Sequence, residues 1–277
     1  MASSPRPVCA LTIAGSDSGG GAGIQADLKT FAAHGLHGLS AIAALTAQNT
    51  RGVSAVQVPP VAFLRAQIDA CFDDFRIGAV KIGMLANARV IHAVADALEQ
   101  WQPPYIVLDP VMVASSGARL LEPGALRALR QRLLPLATVL TPNIPEAELL
   151  LGHSLADDEA AEAALAQLLA LGARAVLLKG GHLPGREMTD RLDDGRQRQR
   201  FVHPRLDIEG HGTGCTLASA IAANLCQGME LVESCAAAAD YVHGALLSAY
   251  RPGEGGVAVL DHFWQQRRAG AAAGETN

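Results

Sequence analysis

HGTGCTLASA, residues 211–220, joins a tight turn to the beginning of a helix. Gly212 and Gly214 permit the turn, and the small and apolar residues that follow, 216–225, predict the helix. The first amides of a helix lack intrahelical partners and, with the helix dipole behind them, favour an anion, most commonly a phosphate. The stretch therefore predicts an anion site beside Cys215. We expect the pKa of that thiol to fall from about 8.5 toward neutrality, unless the thiol simply fills space at the turn.

Short apolar runs alternate with helical segments over most of the chain. Runs typical of buried parallel strands lie at 8–14, 39–47, 79–84, 105–108, 138–140 and 173–178. Apolar residues with helical spacing lie at 24–33, 87–100 and 157–171. This alternation predicts an α/β fold with a central, mostly parallel, doubly wound sheet and helices on both faces.

Residues 188–204 interrupt the alternation. Asp193-Asp194-Gly195 predicts a turn between two short strands, and therefore a small hairpin whose arginines Arg191, Arg196 and Arg198 form a solvated surface. No linker rich in Pro, Gly or Ser divides the chain, so we expect a single domain over 1–268. The last segment, AGAAAGETN at 269–277, predicts a disordered tail.

Composition excludes several classes of protein. The 277 residues carry 22 Lys+Arg against 27 Asp+Glu, a net charge of −5 without long runs of one sign, which argues against a nucleic-acid partner. The five cysteines form no C-x-x-C pair and predict free thiols in a reducing compartment. No signal-like start or apolar run of about 18 residues is present, so we expect a cytoplasmic protein that does not enter the membrane.

The glycine-rich loop GSDSGGGAG, residues 15–23, matches neither common nucleotide-binding motif. A Walker A loop requires glycine before the lysine, but Leu28 precedes Lys29, and a dinucleotide fingerprint requires a third glycine where Ile24 stands. The loop by itself is equally typical of a tight strand-to-helix turn. H-E-x-x-H and G-x-S-x-G are also missing from the sequence, which removes the support for zinc peptidase and serine esterase chemistry.

Polar side chains follow the predicted strands at the end where an open α/β sheet binds its ligands. Each alone is as well explained by a cap or a turn, but together they predict a site. Asp109 and Glu146 are hard oxygen donors suited to Mg²⁺, and Lys179 suits a phosphate. The full set is Asp17, Asp27, Gln48, Asn49, Lys81, Met84, Asp109, Asn143, Glu146 and Lys179.

Seven stretches in order, between about residues 10 and 250, carry a specific resemblance. They are AGSDSGGGAGIQADLKTF, ALTAQNT, VKIGML, VLDPVMVASSG, LTPNIPEAELLLG, LLKGGH and HGTGCTLASAIAANL. The chain resembles the hydroxymethylpyrimidine/phosphomethylpyrimidine kinases of thiamine biosynthesis, within the ribokinase-like superfamily. One departure is Ser115, which stands where the family commonly has lysine or threonine.

The resemblance implies ATP-dependent phosphorylation of 4-amino-5-hydroxymethyl-2-methylpyrimidine and then of its monophosphate, at one site. On the pyrimidine side it implies that Gln48 hydrogen-bonds the ring, that Asp27 lies near it, and that the pocket is lined by Gly15, Met84 and Val111. The relatives are commonly homodimers that use the sheet edge, which implies a homodimer here.

On the nucleotide side the resemblance implies that Asp109 and Glu146 organise Mg²⁺. Lys179 and His211 would approach the ATP phosphates, with Asn143 and Thr213 beside them. The backbone from Gly212 through Gly214 to Cys215 would cradle the transferring group. Many sugar kinases of the superfamily have G-A-G-D with a catalytic aspartate, so Cys215 in G-T-G-C takes the place of the general base.

Two rival functions stay open at this point. A pyridoxine or pyridoxal kinase has a similar G-T-G-C motif, although ALTAQNT favours the aminopyrimidine. A non-catalytic pyrimidine-binding sensor would require a lost base, metal ligand or anion loop, and the sequence retains all three.

Overall fold

The computed structural model describes residues 6–113, 117 and 120–274, and Ser115 lies outside them. Nine strands form one sheet in the order β3-β2-β1-β4-β5-β6-β7-β8-β9, and β10 and β11 form a separate two-stranded sheet. The strands are β1 Cys9–Gly15, β2 His37–Asn49, β3 Gly52–Gln57, β4 Ile77–Ile82, β5 Tyr105–Leu108, β6 Val139–Leu140, β7 Val176–Leu178, β8 Glu187–Asp193, β9 Arg198–Pro204, β10 Gly210–His211 and β11 Ala258–Val259.

The centre of the large sheet is parallel. Strands β2, β1, β4, β5, β6 and β7 run in one direction, so their carboxyl ends meet along one edge. Strand β3 is antiparallel at one side, and β8 and β9 form an antiparallel hairpin at the other. This arrangement confirms the predicted mostly parallel sheet, and the predicted hairpin turns between Asp193 and Arg198, which pair across it.

Helices cover both faces of the sheet. They are α1 Gly23–Ala33, α2 Val61–Asp74, α3 Ala88–Trp101, α4 Ala125–Ala128, α5 Ile144–Leu151, α6 Asp158–Leu169, α7 Thr213–Cys226, α8 Leu231–Leu247 and α9 Trp264–Gly274. Helix α4 continues as a π turn, Leu129–Leu133, and a 3₁₀ turn, Leu134–Leu136. None of the helices in the described part of the chain combines the length and apolar character needed to cross a bilayer.

Side chains along each strand alternate between the two faces of the sheet, so the hydrophobic core has two parts, one on each face. In β4, Val80 and Ile82 pack in the cluster that holds α2, α3, α5 and α6, whereas Ala79 packs in the cluster that holds α7 and α8. Successive side chains of a strand point to opposite faces, so Lys81 shares the face of Ala79 and points toward α7. The polar site is built where the α7 layer meets the carboxyl ends of the strands.

Several features depart from the sequence prediction. The elements that were not predicted are strands β3, β10 and β11 and helices α2, α4 and α5. Strand β3 is mostly exposed on the sheet edge, so it lacks the apolar run of a buried strand. Arg191 is buried, not solvated, and pairs with Asp158 and Glu162 of α6. Helix α9 extends through residues 269–274, where a tail without structure was predicted; the alanines there favour a helix, and 275–277 lie outside the described residues.

Candidate active site

A cavity of about 630 Å³ opens at the carboxyl ends of the parallel strands. It is lined by loops that follow β1, β2, β4, β5, β6 and β7 and by the beginning of α7. The predicted site residues other than Asp27 and Asn49 all line this cavity: Gly15, Asp17, Gln48, Lys81, Met84, Asp109, Val111, Asn143, Glu146, Lys179, His211, Gly212, Thr213, Gly214 and Cys215.

Helix α7 begins against the other loops of the cavity. Gly212 precedes the helix with φ of 83°, a left-handed conformation that favours glycine, and a Cβ there would overlap the carbonyl oxygen of Gly21. A Cβ on Gly214 would lie 3.0 Å from Lys179 Nζ and 3.7 Å from Asp109 Oδ2. The two glycines therefore allow the free amides of α7 to approach the charged side chains of the neighbouring strands.

Lys179 lies between two carboxylates at the floor of the cavity. Its Nζ donates a hydrogen bond to Asp109 Oδ1 at 2.8 Å and lies 3.8 Å from Glu146 Oε2. Burial and repulsion from Asp109 raise the pKa of the Glu146 carboxyl to about 7, although attraction to Lys179 opposes the rise. At neutral pH this group of three therefore holds one carboxyl that is balanced between its neutral and ionised forms.

Glu146 also fixes the beginning of α5. Its Oε2 accepts from the Asn143 amide at 2.8 Å, and Asn143 Oδ1 accepts from the Glu146 amide at 2.8 Å, which completes a capping box. Asn143 pairs with Lys179 in an isolated parallel bridge between their backbones. The capping box thus holds Glu146 next to Lys179.

The glycine-rich loop after β1 is folded around Asp17. The carboxylate accepts from the amides of Gly19 at 2.8 Å, Gly21 at 2.9 Å and Ala22 at 2.8 Å. Burial alone would raise the pKa of Asp17, but the hydrogen bonds from His211, Ala22 and Gly19 outweigh it and lower the pKa. Since Asp17 occupies these amides, they are not free to bind phosphate, and the amides at the beginning of α7 are the better anion donors.

His211 lies on the side of Gln48. Its Nε2 is 3.1 Å from the side-chain amide of Gln48 and 3.1 Å from Asp17 Oδ2. The prediction placed His211 at the phosphates, whereas these contacts link it to the residue predicted to bind the pyrimidine. Ser18 holds the backbone of Gln48 from the other side, donating to its carbonyl at 2.6 Å and accepting from its amide at 2.8 Å.

Asp27 lies below the cavity and not in its wall. It is fully buried and forms an ion pair with Lys81, whose Nζ is 2.8 Å away. Asp27 therefore meets the cavity only through Lys81, and the expectation that it lies near the substrate stays a prediction. The sequence placed it correctly near the first loop, but α1 directs its side chain inward toward β4 and α7, and Lys81 is the member of this pair that lines the cavity.

The structure contradicts the expected low pKa of Cys215. Burial raises the pKa of the thiol to about 11, repulsion from Asp27 and Asp109 adds to the rise, and attraction to Lys81 opposes it. Burial of the thiol outweighs the attraction to Lys81, so the position at a helix terminus does not lower the pKa here. At neutral pH the resting protein therefore holds a thiol at this position and not a thiolate.

The cavity fits a metal ion only together with other ligands. Among the residues that the structure describes, no group of three or more His, Cys, Asp or Glu side chains is arranged to hold an ion. Mg²⁺ typically binds one or two carboxylates and completes its shell with phosphate oxygens and water. Asp109 and Glu146 supply two carboxylates at the place where the helix amides and Lys179 would hold phosphates, so the donor set fits Mg²⁺ that arrives with a nucleotide.

Comparison with known proteins identifies the family. The family model described as phosphomethylpyrimidine kinase matches residues 17–260. The chain belongs to this family. It is 50% identical over 262 residues to the hydroxymethylpyrimidine/phosphomethylpyrimidine kinase of Rhizobium meliloti, and the match covers 92% of this chain and 98% of that relative.

Solved structures of two related kinases have the same fold. The phosphomethylpyrimidine kinase of Clostridium difficile is 44% identical, has a TM-score of 0.76 and covers 85% of this chain and 98% of its own. The pyridoxal kinase of Bacillus subtilis, solved as an ADP complex, is 33% identical, has a TM-score of 0.86 and covers 95% and 99%. The predicted ribokinase-like fold of this family member is thereby confirmed.

Proposed function

We propose that the protein transfers the terminal phosphoryl group of ATP to the hydroxymethyl group of 4-amino-5-hydroxymethyl-2-methylpyrimidine. It then phosphorylates the resulting monophosphate. The observation that carries this proposal is the meeting of Gln48, Lys179, Asp109 and the first amides of α7 in one cavity of about 630 Å³. An alcohol and a triphosphate require such a shared space, because phosphoryl transfer depends mainly on positioning and on neutralising charge.

Gln48 would recognise the aminopyrimidine through an amide whose orientation is already set. The Thr46 hydroxyl has one hydrogen, which it donates to the Ser16 carbonyl at 2.8 Å. If His211 Nε2 carries a hydrogen and donates it to Asp17, this nitrogen has no lone pair with which to accept from the Gln48 amide. The Gln48 atom that faces His211 must then be the amide oxygen. The NH₂ group consequently faces Thr46 and donates to its hydroxyl oxygen. One N–H and one lone pair remain, which match the adjacent acceptor and donor of an aminopyrimidine.

The phosphates of ATP would bind at the beginning of α7. The free amides from residue 212 to 215 and the ammonium of Lys179 supply hydrogen-bond donors and positive charge. Asp109 and Glu146 would hold Mg²⁺, which supplies neutralisation of the phosphate charge when bound. Gly214 is needed because its missing side chain leaves room between these amides and Lys179.

Once its thiol has lost its own proton, Cys215 would accept the proton of the substrate hydroxyl, and alanine at this position tests that role. Since general base catalysis typically contributes 10²–10⁴-fold, Cys215→Ala should lower kcat by about 100-fold or more. The measurement is ADP release with the aminopyrimidine alcohol, and the matched control is Cys71→Ala, because Cys71 is a thiol of α2 outside the cavity. Turnover of Cys215→Ala close to that of Cys71→Ala would reduce Cys215 to a residue that fills space.

Pyridoxal kinase is the second candidate, because that activity belongs to a structural neighbour with a TM-score of 0.86. The sequence identity favours the pyrimidine, at 50% and 44% for the two pyrimidine kinases against 33%. Parallel ADP-release assays with the alcohol, its monophosphate and pyridoxal decide between them. A higher kcat/KM for pyridoxal would overturn the assignment, and binding of the alcohol without ADP release would indicate a sensor.

We also propose a homodimer in the cytoplasm. Leu45 of β2 is 45% exposed on the outer hairpin of the sheet, where a second copy would cover it. All five cysteines are free thiols, in keeping with a reducing compartment. Light scattering should give a dimer for the native chain and for Leu247→Lys on α8, and a monomer for Leu45→Lys. A native monomer would contradict the proposal.

A further inference from the structure

A fully buried ion pair lies under the beginning of α7 and has no role in the binding steps above. Lys81 Nζ donates to Asp27 Oδ1 at 2.8 Å and to Oδ2 at 2.9 Å, and both side chains are 0% exposed. Asp27 also accepts from Thr12 Oγ1 at 2.6 Å and from Ser219 Oγ at 2.7 Å. Buried ion pairs are often no more stable than apolar replacements, so stability alone does not account for this pair.

The pair is attached to the turn of α7 that carries Cys215. Ser219 lies four residues after Cys215, on the same face of the helix and about 6 Å further along its axis. Lys81 is one of the residues that line the cavity, as are Ala14 and Cys215. A Cβ on Gly83 would lie 2.9 Å from Lys81 Nζ, so the glycine leaves the space that the ammonium fills.

Four charged groups influence the protonation of the Cys215 thiol. Asp27 and Asp109 oppose negative charge on the sulfur, and Lys81 and Lys179 favour it. Lys179 is held by Asp109 at 2.8 Å and lies where the phosphates would bind. Although burial would lower the pKa of Lys81, attraction to Asp27, Cys215 and Asp109 raises it, so this lysine stays charged at neutral pH.

We propose that Lys81, held in place by Asp27, is a positioning residue that stabilises negative charge on Cys215 Sγ when the thiol loses its proton. The inference rests on the base role proposed above for Cys215. The S–H bond breaks and its proton passes to solvent water. The thiolate then takes the proton of the substrate hydroxyl, while the hydroxyl oxygen bonds to the terminal phosphorus of ATP and the bond from phosphorus to ADP breaks.

Alkylation of Cys215 tests this proposal without any kinase assay. The rate of reaction with iodoacetamide is followed between pH 8 and 9 by mass spectrometry of the Cys215 peptide, since only the thiolate reacts. An opposite charge nearby typically shifts a pKa by at least about one unit, so Lys81→Met should slow the reaction about tenfold. Burial also raises the pKa of Cys226 to about 11. Lys81 is not among the charges that shift it, so Cys226 should react at an unchanged rate.

Thr12→Val is the matched control, because it removes a hydrogen bond to Asp27 and leaves every charge in place. It should change the Cys215 rate less than threefold. If Lys81→Met does not fold, Lys81→Met/Asp27→Asn removes both charges and keeps one acceptor oxygen, for either Thr12 or Ser219. This variant should also slow the reaction, but less, because the repulsion from Asp27 is lost as well.

Two results would overturn the proposal: an unchanged Cys215 rate in the lysine variants, or an equal slowing in Thr12→Val. The kinase assay is read separately. A native chain that releases no ADP with any of the three alcohols would remove the proposed function, whereas the alkylation rates would still show whether Lys81 stabilises the thiolate. In an active enzyme, Lys81→Met should lower kcat about tenfold at pH 8 and leave KM unchanged.

Discussion

The contact between Gly212 and the glycine-rich loop offers a sharp test of the site. Gly212 has φ of 83°, and an alanine Cβ there would overlap Gly21 O and lie 3.1 Å from Ala22 Cα. Gly228, at the other end of α7, has φ of 87° and no atom within 4 Å of the same position. The substitutions Gly212→Ala and Gly228→Ala therefore share the cost of a left-handed alanine, about 1–2 kcal/mol, and differ only in the collision.

The collision cannot be relieved by a side chain, because the atoms that oppose the Cβ belong to the backbone. Either the beginning of α7 or the loop around Asp17 must shift by on the order of 1 Å, and a misplacement of that size costs about 100-fold in rate. We expect both variants to lose about 1–2 kcal/mol of unfolding free energy from the left-handed alanine. Gly212→Ala should lose more than that, and it alone should lose about 100-fold in kcat.

Urea unfolding gives the stability of each variant, and ADP release with the aminopyrimidine alcohol gives its kcat. Equal kcat values for Gly212→Ala and Gly228→Ala would refute the reasoning, since the proposed anion site would then tolerate displacement of its amides. Equal losses of stability with unequal kcat would contradict the expected energetic cost of the collision but not the displacement of the amides.

Two further predictions concern the carboxylates at the floor of the cavity. Lys179→Met should lower kcat at least about 100-fold and destabilise the protein by about 3–5 kcal/mol, because it leaves Asp109 and Glu146 buried without their cation. Turnover assays measure kcat and urea unfolding measures the stability. A kcat and a stability equal to those of the native chain would contradict the prediction. Glu146→Gln preserves the capping box, and it should become more stable relative to the native chain as pH rises from 5 to 8, by up to about 3 kcal/mol. The sign follows because the pKa of Glu146 in the folded protein, about 7, lies above its pKa in the unfolded chain. The stability that neutral Glu146 contributes is complete below the unfolded pKa and is lost as pH rises through 7. Parallel curves of stability against pH for the two proteins would contradict this prediction.

The central sheet was predictable from sequence because its strands are short, apolar and buried. The runs around Val80 and Val107 lie in the middle of the sheet, with helices on both faces, and they carry the signal that periodicity detects. Strand β3 was missed because it is exposed at the edge and pairs only with β2. Its residues are mostly exposed, so they do not form the apolar run that marks a buried strand.

The sequence also allowed us to predict which residues form the site, but not which of them contact each other. Residue type and position at strand ends placed Gln48, Asp109 and Lys179 in one cavity correctly. Asp27 and His211 show the limit, because spacing along the chain does not say which way a side chain points. The pKa of Cys215 shows another limit, since it depends on burial and on carboxylates from α1 and β5 that only the fold brings near.

The role of Asp17 was within reach of the sequence. An aspartate two residues before a run of glycines is typical of a carboxylate that accepts hydrogen bonds from the amides that follow it. In this chain it accepts three such bonds, and it also contacts His211, which is 194 residues away. The three hydrogen bonds from nearby amides follow from spacing along the chain, whereas the contact with His211 requires the assembled sheet.

The capping box at Asn143 and Glu146 links the first turn of a helix to the occupancy of the cavity. One carboxylate oxygen both receives the Asn143 amide and faces Lys179. Any cation or phosphate that draws this oxygen away removes the acceptor of that amide, so the first turn of α5 should fray as the ligand is bound. Hydrogen exchange at a single peptide group would then report the filling of the site from within the scaffold, before any product is formed.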